Sequence, residues 1–168
     1  ARLRVFTRIC EAIAFAHSKG IVHIDLKPAN IQISNYGEDQ VCDWGLAKLM
    51  HDLTDIATTL LDDETLNYAE ASLAMKKEGT RGTPGFMAPE QIGETNVDHD
   101  RRNDIYSLGA ILYSLLTLKI PAEGSLDEIL EKTKQGQIQS PESINPSCSG
   151  SLSAICMKAL ATDPKDRY

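Results

Sequence analysis

Residues 23 to 30 read HIDLKPAN, and this stretch decides how the chain folds. Behind His23 it sets a carboxylate (Asp25), a cation (Lys27) and an amide (Asn30) at fixed offsets. Phosphoryl transfer to an alcohol needs such a set. A carboxylate orients the attacking hydroxyl and takes its proton, a cation meets the transferring phosphate, and an amide oxygen holds a metal. Pro28 fixes its own φ and pushes Lys27 towards an extended backbone, which stiffens the stretch. Singly, each residue is equally well a polar turn between a helix and a strand; the joint register argues against that.

Working outward, Leu3, Phe6, Ile9, Cys10, Ile13, Ala16 and His17 recur at helical spacing, which predicts an amphipathic helix over 2–18 ended by Gly20. On the other side, Ile31 and Ile33, then Val41, predict two short strands around a turn at Asn35-Tyr36-Gly37. Residues 45 to 82 are irregular and acidic, with room for a helix inside Ile56 to Lys77. Ile105 to Leu118 is apolar on nearly every face, as a helix at the centre of a core is, with Asp104 placed to cap its start. Ser125-Leu126-Asp127-Glu128 is a capping box opening a helix to about Lys134. Leu152, Ile155, Cys156, Ala159 and Leu160 mark a last amphipathic helix, broken at Asp163-Pro164. The expected fold class is mainly α with a small β-hairpin, in one domain over residues 1–168.

The wording HSKGIVHIDLKPAN, VCDWGLAK, GTPGFMAPEQ and DIYSLGAILYSLLT resembles the eukaryotic-type protein kinases, in their bacterial serine/threonine branch, over essentially all 168 residues. The resemblance implies a protein-kinase-like fold. Within a domain that is α+β as a whole, this chain matches the C-terminal lobe. Its catalytic loop would be 23–30, its activation segment 43–90 and its central helix about 104–118. The activity implied is transfer of the ATP γ-phosphate to Ser/Thr hydroxyls of a protein substrate, with Mg2+ (or Mn2+) as metal. By the same resemblance Asp25 is the base or positioner, Lys27 the phosphate contact, and Thr83 the bridge between them. Asn30 and Asp43 hold the metal, and Gln32 lines the floor of the adenine pocket. His23, Trp44 and Gly45 shape the site, Asp104 holds the backbone of the catalytic loop, and Arg167 pairs with Glu90 as scaffold. Lys27 and Thr83 together are the serine/threonine-type signature.

The pattern has four departures. Ile24 stands where most members carry arginine, which weakens the usual switch by loop phosphorylation. Lys76, Lys77 and Arg81 are the substitute cations for such a phosphate. Trp44 replaces a phenylalanine, and its indole N–H wants a partner. Gln32 replaces an apolar residue and costs desolvation there unless its amide is bonded. The segment from Asp43 to Glu90 is long for the family; its Asp62-Asp63-Glu64 reads as a solvated insertion, and Thr58, Thr59, Ser72 and Thr80 are candidate autophosphorylation sites.

No glycine-rich phosphate loop, strand lysine or partnering helix glutamate is present, so the chain reads as a segment of a longer parent without its N-terminal lobe. That lobe is its expected partner, and the isolated segment is expected to be inactive. The competing reading is a pseudokinase or regulatory interaction module without phosphotransfer, which Ile24, Gln32 and the long segment favour.

Composition sets outer bounds. Apolar content of 42% and charged content of 24% are ordinary for a globular protein. A net charge of -7 without Lys/Arg blocks argues against nucleic acid. The four cysteines form no CxxC pair and suit a reducing compartment, so a cytoplasmic location is expected, with membrane anchoring of the parent left open. Cys10 and Cys156 fall on apolar helical faces and are expected in the core. The apolar run Ile105 to Leu118 is too short to span a bilayer.

Overall fold

A computed structural model describes residues 2–34, 39–50, 82–92 and 99–168. In chain order these form α1 (Arg2–Ser18), β1 (Ile21–Val22), β2 (Ile31–Gln32), β3 (Gln40–Val41), β4 (Lys48–Leu49), α2 (Arg101–Thr117), α3 (Leu126–Gln135), α4 (Pro141–Ile144) and α5 (Gly150–Ala159). Single 3-10 turns occur at Pro28–Asn30, Pro89–Gln91 and Pro164–Asp166. The expected helix within Ile56 to Lys77, the acidic Asp62 to Glu64, the candidate phosphorylation sites and Lys76, Lys77 and Arg81 lie outside the described residues. The mainly helical class with a small hairpin is as expected.

Helix α2 is the axis of the fold. Asn103, Asp104 and every residue from Tyr106 to Tyr113 are buried. One core cluster joins Tyr106, Ala110, Leu112 and Tyr113 to Cys156 and Leu160. A second joins Leu108 and Ile111 to Ile9 and Ile13 of α1 and to Leu26. Gly109 lets α5 come close, since a Cβ there would meet the Ala159 Cβ at 2.8 Å. The Cys156 thiol donates to the Gly109 carbonyl at 3.4 Å, and burial pushes it up to about 12. Cys10 is only half-buried against the second cluster, where burial pushes its thiol up to about 11.

The expected start of α2 at Asp104 is corrected. The helix begins earlier, with Asp100 as N-cap accepting from the Arg102 N–H at 2.7 Å, and Asn103 Oδ1 accepting from the Asp100 N–H at 2.8 Å. Asp104 cannot cap because its carboxylate is fully buried and bonded elsewhere. At the other end Leu118 lies outside the helix, left-handed at φ 60 and 76% exposed.

Helix α1 follows its predicted stripe in burying Ile9, Ile13 and Ala16, while Leu3, at the start of that stripe, is exposed, and Gly20 takes φ 74 after the helix. The Ser125 capping box opens α3, which runs one residue past Lys134 to Gln135 before a left-handed Gly136. On α5 Ile155 is exposed rather than on the apolar face. Strands β2 and β3 pair antiparallel with Ile31 opposite Val41, the expected hairpin, whose turn lies outside the described residues. A second antiparallel pair, β1 with β4, sets Val22 opposite Lys48. It was not expected, because two residues carry no readable alternation. Among the described residues no helix is long and apolar enough to cross a membrane.

Candidate active site

Burial of Val22, Ile24 and Leu26 ties the 23–30 loop to the core, while Asp25 and Lys27 turn towards Thr83. Its backbone is shaped by one buried carboxylate. Asp104 Oδ2 accepts from the His23 N–H and Oδ1 from the Ile24 N–H, each at 2.8 Å. The His17 ring Nε2 meets the same Oδ2 at 2.8 Å. A buried carboxylate without such donors would be very costly. Here three groups from α1 and the loop satisfy it.

Ile24 takes φ 72 and is buried. Left-handed backbone is an outlier for a β-branched residue and costs about 1–3 kcal/mol. Its N–H is tied to Asp104 and its carbonyl accepts from Gln91 Nε2 at 3.0 Å. The side chain at 24 is therefore buried and offers no charge.

Asp25, Lys27 and Thr83 form a closed triangle. The Thr83 hydroxyl donates to Asp25 Oδ1 at 2.8 Å, Lys27 Nζ donates to Asp25 Oδ2 at 2.7 Å, and Lys27 Nζ donates to Thr83 Oγ1 at 2.8 Å. Both carboxylate oxygens are thereby fixed in direction. Asn30 Nδ2 donates to the Asp25 carbonyl at 2.9 Å, which leaves Oδ1 without a donor among the described residues.

Asp43 is exposed and left-handed at φ 60, just after β3. A Cβ on Gly45 would come within 3.3 Å of Asp43 Oδ1, so the glycine keeps room for that carboxylate. The Cys42 N–H donates to the Asn30 carbonyl at 2.8 Å, joining the two metal candidates through the hairpin. Among the described residues no cluster of three or more His, Cys, Asp or Glu gathers around a metal position. One carboxylate and one amide oxygen beside a phosphate-bearing ligand is a donor set that suits a hard cation such as Mg2+.

Trp44 is 37% exposed, not sunk in a closed slot. Its N–H donates to the Val41 carbonyl at 2.9 Å, which supplies the partner it needs. Its ring packs on the buried His23 ring, centroids 4.6 Å apart. His23 Nε2 lies 3.0 Å from the Cys42 carbonyl, which can only accept, so this nitrogen carries the proton. Gln32 is exposed on β2, so its amide keeps its water here.

The scaffold pair is complete. Arg167 spends all five donor hydrogens, on both Glu90 oxygens and on the carbonyls of Ala161, Arg102 and Thr162. Asn103 Nδ2 also donates to Glu90 Oε1 at 3.0 Å. The Ser107 hydroxyl donates to the Phe86 carbonyl at 2.8 Å, fixing the stretch after Thr83 to α2. Sequence reasoning missed Gln91, Asn103 and Ser107 and read His17 only as part of a helical stripe. Gln91 and Ser107 each have a local partner, Ala88 and Asn103, but the Ile24 and Phe86 carbonyls they also bond lie on other segments, and no local spacing points to those.

A family model described as the protein kinase domain matches residues 2–168. The chain is 40% identical over 177 residues to a serine/threonine-protein kinase PknD of Protochlamydia amoebophila, covering 100% of this chain and 17% of that protein. It is 37% identical over 169 residues to a PknD of Chlamydia abortus and 36% over 168 residues to one of Chlamydia felis, each covering 99% of this chain and 17% of the relative. The chain thus spans 17% of the length of these curated relatives. No described element falls outside the family match, and the chain belongs to the protein kinase domain family.

Proposed function

We propose that, in the whole natural protein, this chain supplies the catalytic residues for transfer of the ATP γ-phosphate to serine or threonine hydroxyls of a protein substrate. The observation that carries the proposal is the Asp25–Lys27–Thr83 triangle. Thr83 and Lys27 hold both oxygens of Asp25 in one orientation. A substrate hydroxyl brought to that carboxylate gives up its proton to it as the oxygen attacks the γ-phosphorus. The bond from phosphorus to the β,γ-bridging oxygen breaks and ADP leaves. The Lys27 ammonium lies beside the same carboxylate, where it offsets charge on the transferring group.

Asn30 and Asp43 are the residues that would hold Mg2+ or Mn2+. When bound, such a cation neutralises phosphate charge and aligns the nucleotide. Asp43 is exposed and Asn30 presents its amide oxygen, so both can reach a nucleotide-bound ion. Exposed Gln32 on β2 is the adenine-side contact in this reading. The resemblance of the Gly82 to Glu90 stretch extends the proposal to a protein substrate rather than a small alcohol. ATP as co-substrate and four free cysteines fit a cytoplasmic site of action.

The test is radiolabelled phosphate transfer from ATP to a generic protein substrate by the whole natural protein. Wild type is expected to turn over, and Asp25→Asn to lose about 100-fold or more, the ordinary worth of a general base. Absence of transfer by the wild type, with ATP binding retained, replaces the proposal with a non-catalytic nucleotide-binding module. Full activity in Asp25→Asn refutes the role given to Asp25.

A further inference from the structure

Gln91 has no part in the chemistry described above, yet its carboxamide sits where three segments of the site meet. The side chain is 1% exposed, at the end of the Pro89–Gln91 turn. Its Oε1 accepts from the Ala88 N–H at 2.8 Å, which closes its own turn. Its Nε2 donates to the Ile24 carbonyl at 3.0 Å, across 67 residues of sequence. Gly82 leaves room for the same atom. A Cβ at Gly82 would stand 3.2 Å from Nε2, and Gly82 takes φ 123. Ile24 immediately precedes Asp25, and Gly82 immediately precedes Thr83. One amide therefore bonds the residue leading into Asp25 and lies beside the residue leading into Thr83.

The contact with Ile24 matters most. The Ile24 carbonyl and the Asp25 N–H belong to one rigid peptide unit. The preceding unit is pinned by Asp104 at the Ile24 N–H. With Gln91 on the carbonyl, both peptide planes around Ile24 are held, and its φ of 72 has no freedom to relax. Releasing the carbonyl lets the second plane rotate, and the Asp25 carboxylate turns with it. Remove the amide, and the Ile24 carbonyl and the Ala88 N–H also lose a buried partner.

We propose that Gln91 is a positioning residue for phosphotransfer: by holding the Ile24 carbonyl, it sets the orientation of Asp25 towards Thr83. The inference rests on the phosphotransfer reading. Misplacement of a reacting group by a fraction of an ångström to an ångström costs roughly 10-fold to 100-fold in rate.

Two variants of the whole natural protein test it. Gln91→Leu fills similar space with no hydrogen bond, and Gln91→Glu keeps the acceptor for Ala88 but, when ionised, has no donor for Ile24. Both are expected to lower kcat by roughly 10-fold to 100-fold while KM for ATP stays within about threefold. Gln91→Glu regains rate as pH falls, since a protonated carboxyl donates to the Ile24 carbonyl; Gln91→Leu shows no such rise. Hydrogen exchange speeds up in the peptide spanning residues 21–31 and not across α5. An unchanged kcat with unchanged exchange at 21–31 overturns the inference, as does a loss that comes with exchange raised equally everywhere. If the wild type transfers no phosphate, the kinase reading fails, and faster exchange confined to 21–31 in the variants still upholds the brace on the loop. If Gln91→Leu does not fold, the pH profile of Gln91→Glu decides.

Discussion

The Arg167 guanidinium lies flat against the Glu90 carboxylate, with Nη1 to Oε1 at 2.7 Å and Nη2 to Oε2 at 2.8 Å, across 77 residues of sequence. The Arg167 side chain is wholly buried, over the Tyr106 ring at 5.0 Å. Losing either partner leaves an uncompensated charge inside. Arg167→Met or Glu90→Ala is expected to cost about 3–5 kcal/mol, measured by chemical denaturation. Arg167→Lys is expected to recover little, because one ammonium has three donors for five acceptor contacts. A cost of Arg167→Met below about 1 kcal/mol refutes this.

The Thr83 hydroxyl is donor to Asp25 and acceptor from Lys27 at once. Thr83→Ala breaks both bonds and is expected to lower kcat by about 10-fold or more, with thermal stability little changed. Thr83→Ser keeps the hydroxyl and is expected to retain most of the rate. Steady-state kinetics on the whole natural protein separate the two, and equal activities of Ala and Ser variants contradict the bridge.

The cap of α3 titrates. The Ser125 backbone N–H, then its hydroxyl, then nearby Lys132 hold the Glu128 carboxyl below its usual range. Its folded value is depressed, so the stability it lends is present above the unfolded carboxylate value and is lost as pH falls through the lowered folded one. An NMR titration is expected to place Glu128 below free glutamate, and Ser125→Ala, which removes the hydroxyl and keeps the backbone N–H, to move it part of the way back up. A midpoint that Ser125→Ala leaves in place rules out the hydroxyl, though not the retained backbone N–H, as a cause.

Leu118 sits in left-handed backbone with its side chain in solvent. Glycine carries no such strain and gives up little packing here. Leu118→Gly is expected to stabilise by about 0.5–1 kcal/mol, against the usual direction for point changes, read as a higher Tm. A lower Tm contradicts the assignment.

What sequence shows depends on how far each residue's partners lie. Helices α1 and α3 were legible because stripe and cap are written within a few residues of one another. The β2–β3 hairpin was legible from Ile31 and Val41, whereas β1 and β4 are too short to carry a pattern. Asp104 was misread as a cap because local rules see an acid before an apolar helix, not a carboxylate already spent on residues 80 and 81 positions away. The triangle was legible only through resemblance, since Thr83 lies 58 residues from Asp25. The bond from Gln91 to Ile24, 67 residues away, carried no local signal.

The position of Asp104 in the chain also fixes an order of events. A ribosome delivers HIDLKPAN some 80 residues ahead of the carboxylate that shapes its backbone. Until that carboxylate has been made and α2 has docked on α1, the growing polypeptide holds the reactive groups without their arrangement. Nascent and half-assembled forms therefore lack the ordered loop, and its geometry arrives together with the finished core.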